Sequence, residues 1–553
     1  MFRPAEMVKV YCLFRKAHLE NVLSSLQKIG CVQFFDVKNE YDLSPLKIDE
    51  LDIATDCLER LDQLLSEFSP KTESSILKKI LGPRTVPLCV LEIKPAKEIL
   101  IRILKKLNEV EEEYQYLVDQ LEEKRLRKKR LVEEIRKERI RLLREAFLGP
   151  VSKEKLRKSR ELSRSRSKLD LEILKLQVEL SNFKKKNYTD LLIMREEVSD
   201  LVSRLEATKY FGSTRYAIVL GGWTPKRGTN KVIKALETAG KGEVIIQVKE
   251  AEKGDDVPVL LDNPLLLKPY EYLTEKYGLP RYDEIDPTPF LAFAFTFFFG
   301  VIFADVGFGA ALALLSTIVL LKSPHWGEGH RNLNVLLIYL GISSSFFGLA
   351  FGEFFGGLLK IQPLWRKPSE DILLLFLITI GVGVLNILLS IFLRLILNIR
   401  AGESILYPLS LLLIIFSSCA LAAFGTNKPG TIGLSLGLFL LILDKKYRSF
   451  EEVIALAANI ISYSRIAVLY IVHVTMAKLL VTFLLAIPHN ILGVLIGGFL
   501  LILTVIVVLI FDVFLIFVTS LRLQWIEFFK RFYSGRGKKF MPFRTKKEYI
   551  YTL

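Results

Sequence analysis

Hydrophobic and polar positions follow three periods along this chain. Between Met7 and Val37 the reading is strand, helix, strand: VKVYCLF alternates, and Leu19, Val22, Leu23 and Leu26 mark one face of a helix over 17–29. Gly30 stops that helix and CVQFFDV forms the next strand. VPLCVLEI, near residue 90, predicts a further strand. From Ile103 the period becomes heptad. Ile103, Leu107, Val110, Tyr114, Leu117 and Leu121 step by four and three, and the phase resumes at Leu131, Ile135 and Leu142. Lys124, Lys128 and Glu138 occupy seam positions, so the coiled coil is imperfect. Gly149-Pro150 breaks it, and a second run follows from Ile173 through Leu176, Leu180, Phe183, Leu191, Met194, Val198 and Leu201 to Leu205. Two long helices with a break between them predict an antiparallel coiled-coil hairpin over 101–210. Strand signals return at Tyr216–Leu220 and Val244–Val248, around a helix at Lys231–Ala239. The segments 1–100 and 211–285 are thus expected to pair as one α/β lobe at the open end of the hairpin.

Beyond Asp286-Pro287-Thr288-Pro289 the pattern turns almost wholly apolar up to residue 530, a transmembrane domain followed by a tail over 531–553. Pro289–Lys322 is longer than one span of about 20 residues needs. It is interrupted at Asp305-Val306-Gly307, which predicts two short helices; one long tilted helix is the alternative. Further spans are read at Asn332–Leu359, Ile372–Arg394, Ser404–Phe424, Thr431–Leu443, Ile454–Leu485 and Leu492 to about Phe529, about eight in all. The last exceeds membrane thickness at about 1.5 Å per residue, so a steep tilt or a protruding end is expected.

Composition changes this picture in two places. The formal net charge is +16. In a soluble chain that would suggest nucleic acid. Here the basic loops at 325–331, 394–400 and 445–448, with the tail from Lys530, alternate as the positive-inside rule requires. Lys360, Arg366 and Lys367 are exceptions on the opposite side. The pattern places both termini in the cytoplasm, and the charged start after Met1, with no early apolar run, agrees. Cys12, Cys31, Cys57, Cys89 and Cys419 show neither paired nor metal-like spacing, and no phosphate-binding GxxxxGK[ST] loop or dinucleotide fingerprint occurs. No cofactor or metal is expected. The basic, Ser-rich stretch Lys153–Lys168 reads as a solvated helix face, or as a contact for an acidic partner or lipid headgroups.

The ionisable residues inside the apolar half are Asp305, Glu353, Arg465, His473, Lys478, Asp512 and Arg522. An arginine at the centre of a membrane helix costs roughly 2.5–3.5 kcal/mol on insertion scales, so such a residue is a functional-site candidate by default. His473 follows Arg465 by eight residues, about 12 Å of rise and roughly 80° of rotation. Asp512 and Arg522 form a similar track on the last helix. Neighbouring tracks would make a polar seam along which protons or ions step. Blander roles are open: Arg522 snorkelling at a helix end, Lys478 and Asp512 as a buried structural pair, and Glu353 capping a turn.

These residues lie in motifs that resemble subunit a/I of the rotary V-type and A-type ATPases, in its archaeal form. The motifs are GGWTP at 221–225; the run from Asp262-Asn263-Pro264 through Tyr277-Gly278-Leu279-Pro280 to DPTPF at 286–290; and FFFGVIFADVGFG at 297–309. FGEFFG at 351–356, SYSRIAVLYIVHV at 462–474 and LRLQWIEFFKRFYSGRGKKFMPF at 521–543 complete them. The resemblance covers nearly the whole chain. It implies a non-catalytic membrane stator whose tilted helices curl around a rotating proteolipid ring, with two offset half-channels leading to each ring carboxylate. Arg465 matches the essential arginine that separates the half-channels, and Arg522 the second arginine. Asp512 stands where glutamate is usual, and His473 matches a polar position. Glu353 and Asp305 match acidic landmarks, and Lys478 is a further polar candidate. The head resembles the cytoplasmic arm that contacts a central-stalk-proximal subunit and the peripheral stalks. One departure stands out: homologues carry a second α/β lobe between the coiled-coil helices, where only about 147–153 connects them here. The competing readings are an independent ion-coupled secondary transporter with a regulatory head, for which no internal repeat or paired broken helices are seen, and a membrane scaffold, which leaves the charged tracks unexplained.

Overall fold

The computed structural model describes residues 3–38, 43–45, 50–68, 86–87, 96–148, 153–252, 254–322, 327–359, 361–365, 367–425, 428–445, 449–485, 491–545 and 550–551. Most of the expected strand near residue 90, the Gly149-Pro150 break and the loop residues Lys360 and Arg366 lie outside them. The chain divides into two compact units. Among the described residues, one holds those of 8–68, 86–250 and 541–551, and the other those of 3–7 and 251–540.

In the first unit, β1 (Met7–Arg15), α1 (Leu19–Ile29) and β2 (Gln33–Phe35) occupy the expected positions. Gly30 closes α1 in the left-handed conformation at φ 61°, where glycine carries no Cβ penalty. The six-stranded sheet is completed by β3 (Ser44–Pro45), β4 (Gly212–Ser213), β5 (Ala217–Pro225) and β6 (Val244–Glu250). Its order is β3-β4-β5-β1-β6, with β2 also on β5. β1 pairs antiparallel with β6 from Val8↔Glu250 to Phe14↔Val244, and β2 with β5 through Phe34↔Gly222. The segments before and after the long helices therefore share one sheet. Val10, Phe14, Leu26, Phe211, Leu220 and Val232 fill its core.

Between the halves of the sheet run α2 (Glu50–Phe68), α3 (Ala96–Leu148) and α4 (Lys153–Ala207). Ion pairs join Arg102 to Glu197, Lys106 to Asp190, Lys124 to Glu172 and Lys128 to Asp170, at 2.5–2.8 Å. Partner numbers fall on α4 as they rise on α3, so the two helices are antiparallel. Lys124 and Lys128, which interrupt the heptad, are matched by acids on the facing helix. Leu121, Leu169, Ile173 and Leu176 pack between them. Nearer the sheet, α2 adds Cys57 and Leu61 to Ile103, Leu107, Leu191 and Val198. The stretch Lys153–Lys168 is the first part of α4; residues 157–168 are mostly exposed and carry an Arg157–Glu161 pair.

In the second unit, α6 (Lys268–Tyr277; α5 is Thr229–Ala239 of the first) precedes the apolar helices. Asp286 fixes the start of α7 (Thr288–Ile302): one oxygen accepts from the Thr288 N–H at 2.9 Å and the other from Asn263 Nδ2 at 2.6 Å. The chain breaks at Phe303–Asp305 before α8 (Val306–Lys322), so the long apolar run is two short helices. α9 (Glu328–Phe351) packs closely on α8 because Gly309 meets Gly341. A Cβ on Gly341 would lie 2.6 Å from the Gly309 carbonyl oxygen. Then come α10 (Ile372–Ala401), α11 (Leu406–Phe424), α12 (Lys428–Lys445), α13 (Ser449–Ser462), α14 (Ser464–Leu485) and α15 (Ile491–Arg522). Among the described residues, five segments are long and apolar enough to cross a membrane: 328–351, 372–401, 406–424, 451–479 and 509–531. α7 and α8 are shorter apolar helices. Past α15 the backbone widens to a π-helix at Leu523–Phe528, and the residues after it return to α6: Lys539 pairs with Glu275, and Val259 donates to the Lys538 carbonyl.

Candidate functional site

The segment 451–479 is not one straight helix. It breaks at Tyr463, between α13 and α14, with no proline or glycine at the turn. Tyr463 is fully buried, its hydroxyl accepts from Asn386 Nδ2 on α10 at 2.8 Å, and its ring meets Phe298 edge-on. The turn is thus fixed by packing. Arg465, expected near the middle of a helix, instead stands second in α14. Its Nε donates to the Ser462 carbonyl at 2.9 Å and its Nη2 to Glu527 Oε1 at 2.7 Å. The arginine side chain is 29% exposed and that of Glu527 only 3%. An ionised donor and acceptor at this distance make a strong hydrogen bond, and removing one partner of a buried pair leaves a charge without compensation.

Eight residues on, His473 is almost fully enclosed. Its Nδ1 lies 3.0 Å from Asp512 Oδ2 on α15, and its ring sits 4.6 Å from Phe303 and 5.9 Å from Phe308. Nε2 has no hydrogen-bond partner among the described residues. Lys478, five residues further, turns toward the loop after α9, where its Nζ is 3.7 Å from Glu353 Oε1. Asp512 and Lys478 are therefore not paired with each other; each has its own partner. The three ionisable positions of α14 meet three carboxylates, one from α15, one from the π-helix after it and one from the 352–357 loop. Arg522 is exposed at the end of α15.

Asp305 is placed differently. It is 1% exposed, and its Oδ1 accepts from the N–H of Phe308 at 3.0 Å and of Phe355 at 2.9 Å. Oδ2 accepts from the Gly356 N–H at 2.8 Å. It caps α8 and clamps the FGEFFG loop, so both oxygens are engaged by backbone. That loop presses on α14: Gly356, at φ 65°, leaves no room for a Cβ against Ala477. Glu353, with its ion pair to Lys478, sits beside this clamp, and its backbone carbonyl accepts from the Val306 N–H at 3.1 Å.

Glu527 is the acid that sequence reasoning passed over. It lies in IEFFKRF, where the apolar run gives way to Lys530 and Arg531, and there it reads as part of a polar end. The available signal was an acid five residues past Arg522 with apolar neighbours on both sides. Gln524, on the same π-helix, is also buried, with neither amide atom partnered among the described residues. Among the described residues, no group of three His, Cys, Asp or Glu side chains could hold a metal ion.

Known proteins carry the same sequence pattern. Residues 151–369 and 445–545 match the V-type ATPase 116 kDa subunit family. An A-type ATP synthase subunit I of Pyrococcus horikoshii is 30% identical over 388 residues, 65% of this chain and 59% of that protein. The A-type ATP synthase subunit I of Methanocaldococcus jannaschii is 28% identical over 422 residues, 65% of this chain and 60% of its own length. A V-type ATP synthase subunit I 2 of Treponema pallidum is 27% identical over 164 residues, 28% of this chain and 36% of that one. The chain spans about 60% of the length of the two archaeal relatives. The family match takes in more than half of the chain, including Arg465, His473, Asp512, Arg522 and Glu527, and the chain belongs to the V-type ATPase 116 kDa subunit family.

Proposed function

We propose that this chain is the membrane stator subunit of a rotary A/V-type ATPase, which passes protons through two half-channels to a ring of proteolipid subunits. Its ends lie in the cytoplasm, its apolar helices cross the membrane about eight times, and the α3–α4 hairpin is a coiled-coil arm. The lobe at the open end of that arm links to peripheral stalk subunits and to a subunit near the central stalk. The chain itself hydrolyses no ATP. The observation that carries this reading is the row of ionisable contacts that α14 makes with α15 and the π-helix after it: His473 with Asp512, and Arg465 with Glu527. Ionisable groups kept inside apolar helices mark functional sites by default, ion paths and proton relays among them.

In this reading Arg465 divides two paths. A fixed cation beside the ring favours the deprotonated carboxylate, so a proton leaves before the ring subunit passes. At 4 Å and an effective dielectric near 20 the attraction is about 4 kcal/mol, opposed by desolvation. Arginine suits the task because it stays charged where a lysine can lose its proton. Asp512 and His473 form a relay on one path, since an imidazole with one nitrogen bonded and the other free can accept and release a proton. Arg522, at the end of the same helix, lies on the other side of that division. Glu353 and Lys478 line the approach from the 352–357 loop, and Asp305 holds that loop.

The test is ATP-driven ion pumping by the reconstituted complex carrying Arg465→Ala, with co-purification of the ring and stalk subunits. Pumping is expected to vanish while assembly persists. Normal pumping with Arg465→Ala would remove the assignment and turn attention to Arg522.

A further inference from the structure

Glu527 is the buried carboxylate that meets Arg465. One oxygen accepts from Arg465, while the other is buried without a hydrogen-bond partner among the described residues. The acid is carried on a π-helix, a local widening that is frequent at functional sites. Among the described residues, Arg465 is in turn held on one edge only. Two of its five donors are used by described residues, Ser462 and Glu527, and the guanidinium remains partly exposed.

Given the reading of Arg465 above, we propose that Glu527 is a positioning residue for ion transfer. It anchors the guanidinium edge-on and acts as its permanent counter-charge. A bare arginine would hold a passing carboxylate by its full charge and release it slowly. An arginine already paired presents little net charge at a distance and attracts through the direction of its remaining N–H groups. Glu527 thereby keeps the contact with the ring brief. The tether also limits the swing of a long, many-rotamer side chain, so Arg465 stays where it blocks a direct path between the half-channels.

These two effects separate experimentally. In the reconstituted complex, Glu527→Gln keeps an oxygen for Arg465 but loses the counter-charge; ATP hydrolysis is expected to slow by about tenfold with the ions moved per ATP unchanged. Glu527→Ala loses the tether as well, and the ions moved per ATP are expected to fall. Glu527→Asp should recover turnover to within about threefold. A role confined to helix packing would lower the yield of complex while the assembled fraction kept its normal rate and stoichiometry. An assembled Glu527→Gln complex that turns over within about twofold of the unaltered one overturns the proposal. Should the Gln variant not assemble, Glu527→Ala decides: slowed hydrolysis with fewer ions per ATP in the assembled complex supports the proposal, and normal values of both overturn it. Arg465→Ala runs beside these. Normal pumping there removes the reading of Arg465 itself, whereas loss of pumping with a normal Glu527→Gln complex removes only the role of Glu527.

Discussion

Asp305 shows how a single acid in an apolar segment can serve the backbone. Its two oxygens receive three N–H groups, from Phe308, Phe355 and Gly356. Asp305→Ala leaves those donors buried and unsatisfied, at about 1–3 kcal/mol each. The thermal midpoint of the detergent-solubilised protein is expected to fall by several degrees, more than for Asp305→Asn, which keeps one acceptor. An equal effect of the two substitutions would count against the clamp. Sequence alone flagged Asp305, Glu353, Arg465, His473, Lys478, Asp512 and Arg522, because charge against an apolar background is visible without coordinates. Pairing was not visible. That His473 meets Asp512, and Lys478 meets Glu353, depends on which helices lie side by side. Glu527 escaped notice because its neighbours Lys530 and Arg531 make it resemble the end of a span, while its burial comes from packing around Phe528 and Phe529.

Among the elements, periodicity marked β1, α1, β2 and the two long helical segments, since each uses a repeat that one buried face enforces, and it left the two-residue strands β3 and β4 unmarked. The break at Tyr463 left no such mark: neither proline nor glycine is present, and the turn is held by a tertiary hydrogen bond to Asn386. The last helix likewise ends in a π-helix that no composition signal announces. Where α8 and α9 touch, Gly309 and Gly341 bring two backbones together. Gly341→Leu must push the helices apart, since the obstacle is main chain and cannot rotate away. Overpacking of this kind costs about 1–3 kcal/mol or more. Thermal denaturation in detergent should show a clear loss for Gly341→Leu and a small one for Gly381→Leu, where a Cβ meets nothing within 4 Å. Equal losses would mean that the close approach does not matter.

For the molecule as a whole, the cysteines offer a probe of the folded head. Burial pushes the Cys12 thiol up to about 12 and the Cys57 thiol up to about 11. The nucleophile is the thiolate, so a raised pKa means less of it at every pH below that value. At pH 7.5 both should resist maleimide in the native protein and react fully in denaturant, as read by mass spectrometry of the peptides. Rapid native labelling of Cys12 would show that the sheet core around it opens.

That sheet has a consequence for the order in which the chain is made. β1 meets its partner β6 only at Val244–Glu250, more than two hundred residues downstream. At the usual 5–20 residues per second, the interval lasts about 10–50 s. Throughout it, the edge of β1 that β6 will cover remains a row of unpaired backbone groups able to bind a foreign strand, and the other edge stays open until β5 is made. The two long helices must be synthesised, and must fold back on themselves, before the edge is sealed. Synthesis of the head thus carries a built-in window of vulnerability, set by the length of the helices between its two halves.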